Sequence, residues 1–96
     1  MRYEFHPLAE AEYLESVAYY EGCRKGLGLR FVEAFEATIL RIQNSPTIWR
    51  YFDDEIRRCL LEKFPFGVLY TIERDHILVV AVMHHSRKPG YWKKRI

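Results

Sequence analysis

The stretch Ile77-Leu78-Val79-Val80-Ala81-Val82-Met83 decides the fold of this chain. It is short, contains no polar residue and is rich in β-branched side chains, which is typical of a strand buried on both faces of a sheet. The composition then changes abruptly to His84-His85-Ser86-Arg87-Lys88-Pro89-Gly90-Tyr91-Trp92-Lys93-Lys94-Arg95. A rigid strand that delivers polar groups to the end of a sheet is a suitable support for a functional site.

Two more strands are predicted before this one. They cover residues 57–64 and 68–72, and Pro65-Phe66-Gly67 forms the turn between them. Arg74-Asp75 provides a tight hairpin turn into the strand at Ile77. The preceding segment, residues 47–55, has aromatic residues but no clear period, and it is predicted to be irregular.

The N-terminal half predicts a short strand and two helices. Arg2–Phe5 alternates polar and aromatic residues, and Pro7 suits the first turn of a helix that extends to about Gly22. Three glycines between Gly22 and Gly28 end that helix, and Asn44-Ser45-Pro46 stops the next one. The apolar residues at helical spacing are Leu8, Ala11, Leu14, Val17 and Ala18 in the first helix, and Leu29, Val32, Phe35, Ile39 and Ile42 in the second.

The predicted fold is therefore α+β, with the element order β-αα-βββ. An antiparallel helical hairpin packs on a small, mainly antiparallel sheet, and residues 1–96 form a single domain. Phe35, Ile39 and Val80 are predicted to be buried together, since the second helix and the central strand have no other apolar partner.

Composition narrows the class of protein. The 96 residues are 49% hydrophobic, 16% aromatic and 29% charged, which is the composition of a globular domain. The net charge of +2 does not by itself indicate a nucleic-acid partner. Cys23 and Cys59 have no metal-ligand spacing, so reduced thiols and a cytoplasmic location are predicted. The chain also lacks an apolar signal-peptide core and any run of membrane-spanning length.

The whole chain resembles the RelE/ParE superfamily of bacterial type II toxin–antitoxin toxins, most closely its ParE-like, "plasmid stabilization" branch. The segments that carry the resemblance are Glu12-Tyr13-Leu14, Ala18-Tyr19-Tyr20-Glu21, Gly26-Leu27-Gly28 with Arg30-Phe31, Ser45-Pro46, Arg57-Arg58, Phe64-Pro65-Phe66-Gly67-Val68-Leu69-Tyr70, and Ala81-Val82-Met83-His84 followed by Arg87, Pro89, Tyr91-Trp92 and Arg95. The family shares its fold across different targets, so the resemblance is stronger for fold than for activity.

The resemblance implies a toxin that an antitoxin encoded beside it holds inactive. A ParE-like member binds and inhibits DNA gyrase, whereas a RelE-like member is a metal-independent endoribonuclease that cuts mRNA on the ribosome. A third possibility is an inactive member that only binds its antitoxin. No cofactor, metal or membrane partner is implied, and a homodimer or a hetero-oligomer with the antitoxin is possible.

The candidate site lies at the end of the apolar strand. If the chain is a nuclease, His84 or His85 supplies the acid or base, and Arg87 holds phosphate. RelE-like enzymes place an arginine and a tyrosine in this tail, where Arg87 and Tyr91 stand at comparable positions. The residues proposed to contact a target or RNA are Arg57, Arg58, Lys63, Trp92, Lys93 and Arg95.

Several of these residues also have purely structural interpretations. One of the two adjacent histidines is expected to point into the protein, and Trp92 suits a hydrophobic anchor better than a platform for a base. For Arg57 or Arg58 the structural alternative is an ion pair with an acidic residue among Asp53, Asp54 and Glu55. Tyr19, Tyr20 and Tyr70 are predicted to pack in or near the core. Glu12, Glu15 and Glu21 are predicted to form a solvated helix face.

Overall fold

A computed structural model describes all residues from 1 to 96. The elements are β1 (Arg2–Phe5), α1 (Pro7–Cys23), α2 (Leu27–Asn44), β2 (Tyr51–Asp53), β3 (Ile56–Leu60), β4 (Phe66–Ile72), β5 (His76–His84) and a 3-10 turn (Lys93–Arg95). The α+β prediction is confirmed, with one extra strand, β2, in the segment that was predicted to be irregular. This strand has only three residues, too few for a periodic pattern to reveal it.

The sheet has five strands in the order β1-β5-β4-β3-β2. β1 runs parallel to β5, and every other neighbouring pair is antiparallel. The predicted turn at Arg74-Asp75 closes the β4–β5 hairpin, where the backbone N–H of Glu73 donates to the carbonyl of His76 at 2.8 Å. β5 therefore lies between β1 and β4, with the polar C-terminal segment at its end.

β5 contains a bulge at Val80. In the pairing with β4, Leu69 stands opposite Ala81 and Tyr70 stands opposite Val79, so Val80 is an extra residue. The bulge interrupts the alternation of side chains between the two faces. As a result Val79 and Val82 face the helices, whereas Val80 and Ala81 both lie on the opposite face.

This geometry corrects the predicted core. Phe35, Ile39 and Val80 are all buried, but they are not buried together. Phe35 and Ile39 pack with Val79 in a cluster between the helices and the sheet, the helix-side cluster. Val80 belongs to a second cluster, on the face of the sheet that the helices do not cover. This helix-free cluster consists of Ile56, Leu69, Val80, Ala81, Met83 and Trp92. The prediction failed because Val79, and not Val80, faces the helices, and in an all-apolar strand the sequence does not show which alternate side chains do so.

The predicted inward face of α1 is confirmed only at Val17, which packs in the cluster between the helices and the sheet. Leu8 and Leu14 are 54% and 58% exposed. The residues of α1 that pack in the helix-side cluster are Ala9, Tyr13, Val17 and Tyr20. These positions also recur at helical spacing, but three of the four are aromatic or small, and the rings of Tyr13 and Phe35 lie 4.4 Å apart. Tyr19, predicted to pack in or near the core, is 67% exposed, whereas Tyr70 is fully buried.

Neither cysteine forms a disulfide. Cys23 is exposed on α1, and Cys59 is buried in β3. Burial raises the pKa of the Cys59 thiol, so this group is held in the neutral form that suits a core side chain. Neither helix has the length and apolar character that a membrane-spanning segment requires.

Candidate functional site at the C-terminal end of β5

The C-terminal segment folds back on the protein and forms a stack of three side chains. The guanidinium of Arg87 lies 3.9 Å from the centre of the Tyr91 ring, and the guanidinium of Arg95 lies 5.0 Å from the same centre. Cations over an aromatic face are attracted by its negative π-cloud. The tail is therefore an ordered structure, in which one tyrosine contacts two arginines.

Arg95 forms a buried ion pair with Glu12 of α1. Its two terminal nitrogens donate to the two carboxylate oxygens of Glu12 at 3.0 and 2.9 Å. The side chains of Arg95 and Glu12 are only 9% and 14% exposed. Two parallel charge-assisted hydrogen bonds fix both the distance and the orientation of the two planar groups.

The ion pair also occupies the open edge of β5. β1 pairs with β5 only as far as Val79, so beyond that residue β5 has no neighbouring strand on the side opposite β4. Arg95 donates to the carbonyl of Val80 at 3.0 Å, and the N–H of Val82 donates to Glu12 at 3.0 Å. Two backbone groups that would otherwise be left unpaired are thus satisfied by side chains.

Trp92 anchors the tail. Its side chain is 1% exposed and packs with Ile56, Leu69 and Val80 in the helix-free cluster. Because the ring is covered in this way, it is not available to stack on a nucleotide. Trp92 therefore acts as the hydrophobic anchor that the sequence favoured. Next to it, Lys93 forms an exposed ion pair with Asp53 at 3.0 Å.

The two histidines at the end of β5 have different environments, as the sequence predicted. His85 is exposed, whereas His84 is partly buried with its ring 5.0 Å from that of Phe66. The N–H of Ser86 donates to Nδ1 of His84 at 3.0 Å, so the neutral imidazole carries its proton on Nε2. His84 and Ser86 line a cleft of about 570 Å³ against α1, whose other polar lining residues are Glu15, Ser16, Tyr19, Tyr20 and Cys23.

The predicted basic residues of β3 do not pair with the nearby acids. Arg57 donates to the carbonyls of Thr47 and Trp49 at 2.9 and 2.8 Å, and it lies 4.1 Å from the centre of the Tyr51 ring. It therefore holds the loop before β2 in place. Arg58 forms no ion pair, and its guanidinium lies 4.4 Å from the centre of the Phe52 ring. Lys63 is exposed in the β3–β4 loop.

The phenol of Tyr91 is not placed as an acid or base. Its hydroxyl is buried without a well-formed hydrogen bond. Burial, followed by the nearby carboxylate of Glu12, raises the pKa of Tyr91 far above its usual range, because both disfavour the phenolate. Arg87 contacts the face of this ring, but neither residue lines the cleft that contains His84.

Glu12 is the residue of this region that sequence reasoning missed. Together with Glu15 and Glu21 it was predicted to lie on a solvated face, yet it is almost buried and binds Arg95 and Val82. The only signal for it was its place in the segment Glu12-Tyr13-Leu14, which carried part of the family resemblance. Nothing in the spacing of charges could have linked it to a residue 83 positions away.

Comparisons with known proteins agree with this fold. The sequence model described as "ParE toxin of type II toxin-antitoxin system, parDE" matches residues 3–89, most of the chain. The chain belongs to the ParE toxin family. Among solved structures, a chain described as "Chromosomal ParDE TA system from P. aeruginosa" is similar to this ParE-family toxin with a TM-score of 0.75 and 15% sequence identity. The similarity covers 88% of this chain and 95% of the other, and at that identity it shows a shared fold. No curated protein matches the sequence.

Proposed function

We propose that this ParE-family toxin acts by binding and inhibiting a protein target, DNA gyrase, and not by cutting RNA. The observation that carries the proposal is that the groups RNA cleavage would require at one phosphate-sized spot do not line a common cleft. His84 faces the cleft beside α1, Arg87 lies on the ring of Tyr91, and the Tyr91 hydroxyl is buried. Gyrase as target would place the activity in the cytoplasm.

A cationic surface on the helix-free face of the sheet supports a binding role. Phe52 and Tyr91 both pack against the helix-free cluster, and each holds an arginine over its ring, Arg58 and Arg87 respectively. Neither arginine has a carboxylate partner, whereas Asp53 is already neutralised by Lys93. Guanidinium groups held on aromatic rings lose little side-chain entropy on binding, so they suit an acidic patch on a protein target.

The antitoxin is proposed to occupy a groove on the helical side. The groove has a volume of about 720 Å³ and lies between α2 and the β3–β4 loop. Its lining residues are Tyr20, Leu27, Arg30, Glu33, Ala34, Ala37, Arg41, Glu62, Lys63, Phe64 and Pro65. Apolar side chains form part of the lining, and the three cations exceed the two acids, which favours an amphipathic segment with a negative face.

Induced expression followed by two assays tests the proposed mode of action. We expect cells that express the toxin to stop growing, with loss of gyrase-dependent DNA supercoiling and with intact messages. Purified toxin should inhibit supercoiling by purified gyrase in the same way. Cleaved messages together with normal supercoiling would support the RelE-like ribonuclease instead. Continued growth with both assays normal would support an inactive member.

Calorimetry with the product of the adjacent gene tests the antitoxin groove. Ala37 lines the groove and is exposed, so Ala37→Trp should fill the groove without disturbing the core and should weaken the complex. Ala18→Trp, at an exposed position of α1 outside the groove, is the matched control. Absence of any association with the wild-type toxin would contradict the antitoxin proposal, and equal affinities for the two variants would contradict the location.

A further inference from the structure

We propose that Glu12 is a positioning residue for Arg87. Through Arg95 it fixes the ring of Tyr91, and that ring in turn holds the guanidinium of Arg87 at the C-terminal end of β5. The importance of Arg87 for toxicity rests on the proposed function, whereas the positioning itself is a statement about geometry. The two can therefore be tested separately.

The carboxylate of Glu12 is held in one position. Its carboxylate accepts the backbone N–H of Val82 at 3.0 Å, so it is tied to the sheet as well as to α1. The flanking residue Tyr13 packs in the helix-side cluster, which fixes this turn of the helix. A carboxylate held from two elements gives its partner a defined position.

The guanidinium of Arg95 is held in one orientation. It donates to both carboxylate oxygens of Glu12 and to the carbonyl of Val80, all at 2.9 to 3.0 Å. These bonds fix the plane of the guanidinium, not only the position of its charge. Lysine at this position could supply the charge but not the plane.

The ring of Tyr91 lies between this oriented guanidinium and Arg87 in the chain of contacts. Arg95 lies 5.0 Å from the centre of the Tyr91 ring, and Arg87 lies 3.9 Å from the same centre. The Arg87 side chain forms neither an ion pair nor a hydrogen bond, so the ring of Tyr91 is the contact that restrains it. Without the fixed ring, an exposed arginine samples many rotamers, and ordering it on binding costs entropy.

Anchoring of the tail does not account for the ion pair. Trp92 is fully buried and already fastens the segment to the sheet. Burying two charges carries a desolvation cost that their attraction does not always repay. The pair satisfies the Val80 carbonyl and the Val82 N–H at the edge of β5, and its place beside Tyr91 also gives the ring and its cation one orientation.

The test is the NMR resonance of the Arg87 Nε–H group, which the ring current of Tyr91 displaces from the position of a free arginine. Arg87→Lys identifies the peak by removing it, and Tyr91→Leu gives its position without the ring. Glu12→Gln should move the peak most of the way to the Tyr91→Leu position, while the backbone spectrum of the sheet and helices stays unchanged. Glu10→Gln, at an exposed position on the same helix, should leave it in place.

Growth inhibition is measured on the same variants. We expect Glu12→Gln to require about tenfold more inducer for half-maximal inhibition, which is the change expected when a key side chain loses its order. An unchanged Arg87 peak in Glu12→Gln would overturn the positioning role. A displaced peak with full toxicity would uphold the positioning role but would contradict the part of Arg87 in the proposed function.

Arg95→Lys covers the case in which Glu12→Gln fails to fold. Lysine keeps the charge of the pair but has no planar guanidinium to orient the ring of Tyr91. We therefore expect the Arg87 peak to move in a folded protein. A folded Arg95→Lys variant with an unmoved peak would overturn the proposal. Unfolding of both variants would also overturn it, since the pair would then be a requirement of the fold.

Discussion

The carboxylate of Glu21, near the end of α1, accepts the backbone N–H of Gly28, in the first turn of α2, at 3.1 Å. The same carboxylate accepts the N–H of Gly26, also at 3.1 Å. Gly26, at the N-cap position of α2, has a φ of 88° and no side chain with which to cap the helix. Glu21 therefore satisfies donors that would be unpaired and places a negative charge at the positive end of the α2 dipole.

Replacing Glu21 should destabilise the hairpin. Glu21→Ala is expected to lower the free energy of unfolding by about 1 kcal/mol, the usual effect of removing a helix cap. Urea denaturation monitored by circular dichroism measures the change. Glu36→Ala, at an exposed position of α2 without a polar partner, should alter stability by less than about 0.5 kcal/mol. Equal effects of the two substitutions would show that Glu21 does not cap α2.

The two glycines at the ends of the interhelical turn should respond to alanine in opposite directions. A Cβ at Gly28 would lie 2.9 Å from the carbonyl oxygen of Val17, so the helices would have to move apart. We expect Gly28→Ala to cost roughly 1–3 kcal/mol of stability. A Cβ at Gly22, within α1, would meet nothing within 4 Å. Gly22→Ala should therefore stabilise the protein by about 0.5–1 kcal/mol, and thermal melts of both variants test the contrast.

Tyr70 should make the protein sensitive to alkaline pH. The side chain is fully buried, its hydroxyl donates to the carbonyl of Pro46 at 2.6 Å, and burial raises its pKa to about 12. In the unfolded chain a tyrosine ionises near pH 10, so above that pH the unfolded state binds fewer protons than the folded state. The stability associated with neutral Tyr70 is complete below about pH 10 and is lost as the pH rises towards about 12.

Tyr70→Phe isolates this effect from the other buried tyrosines, which both proteins share. Urea denaturation at about pH 9 and about pH 11.5 should show a larger loss of unfolding free energy for the wild type than for the variant, by up to about 2 kcal/mol. The variant should be less stable than the wild type at pH 9, because the carbonyl of Pro46 loses its donor. Parallel pH profiles of the two proteins would contradict the assignment.

Arg87→Ala tests the proposed target surface. Arg87 is exposed and contacts only the Tyr91 ring, so its removal should cost about 0.5–1 kcal/mol at most. Growth inhibition should nevertheless be lost, because the variant lacks the cation that the target requires. Arg74→Ala, at an exposed position in the β4–β5 turn, is the control and should remain toxic. Full toxicity of Arg87→Ala would remove this residue from the site, and a much lower melting temperature would make it structural.

Much of the fold could be predicted from local patterns. The apolar run at Ile77, the glycines after Gly22 and the hairpin turn at Arg74 mark elements that the structure contains. The strand predicted over residues 57–64 ends at Leu60, and Phe66 and Gly67 of the predicted turn belong to β4. The family resemblance, carried by segments along the whole chain, agrees with the matched ParE toxin family. The inward face of α1 was misassigned, because this helix carries apolar residues on two faces and periodicity cannot decide between them.

The site was less predictable, because its contacts join distant parts of the chain. The sequence suggested that one histidine points inward and that Trp92 is an anchor, and the structure agrees on both points. It gave no indication that Arg95 is almost buried, since the residue lies in a basic tail that resembles a solvated one. Nor could it show that His84 lines a cleft to which neither Arg87 nor Tyr91 contributes, because residues close in sequence can face different surfaces once a strand ends.

The sequence by itself determined the order of the two helices and of four of the five strands, the apolar character of β5 and the cationic character of the segment after it. Hydrophobic periodicity and turn chemistry are local, so they can be read without the fold. The tertiary structure alone decided that Val80 and Ala81 both face away from the helices and that Glu12 meets Arg95. A bulge depends on the register between two strands, and an ion pair between residues 83 positions apart depends on how α1 and the tail pack against the same edge of β5.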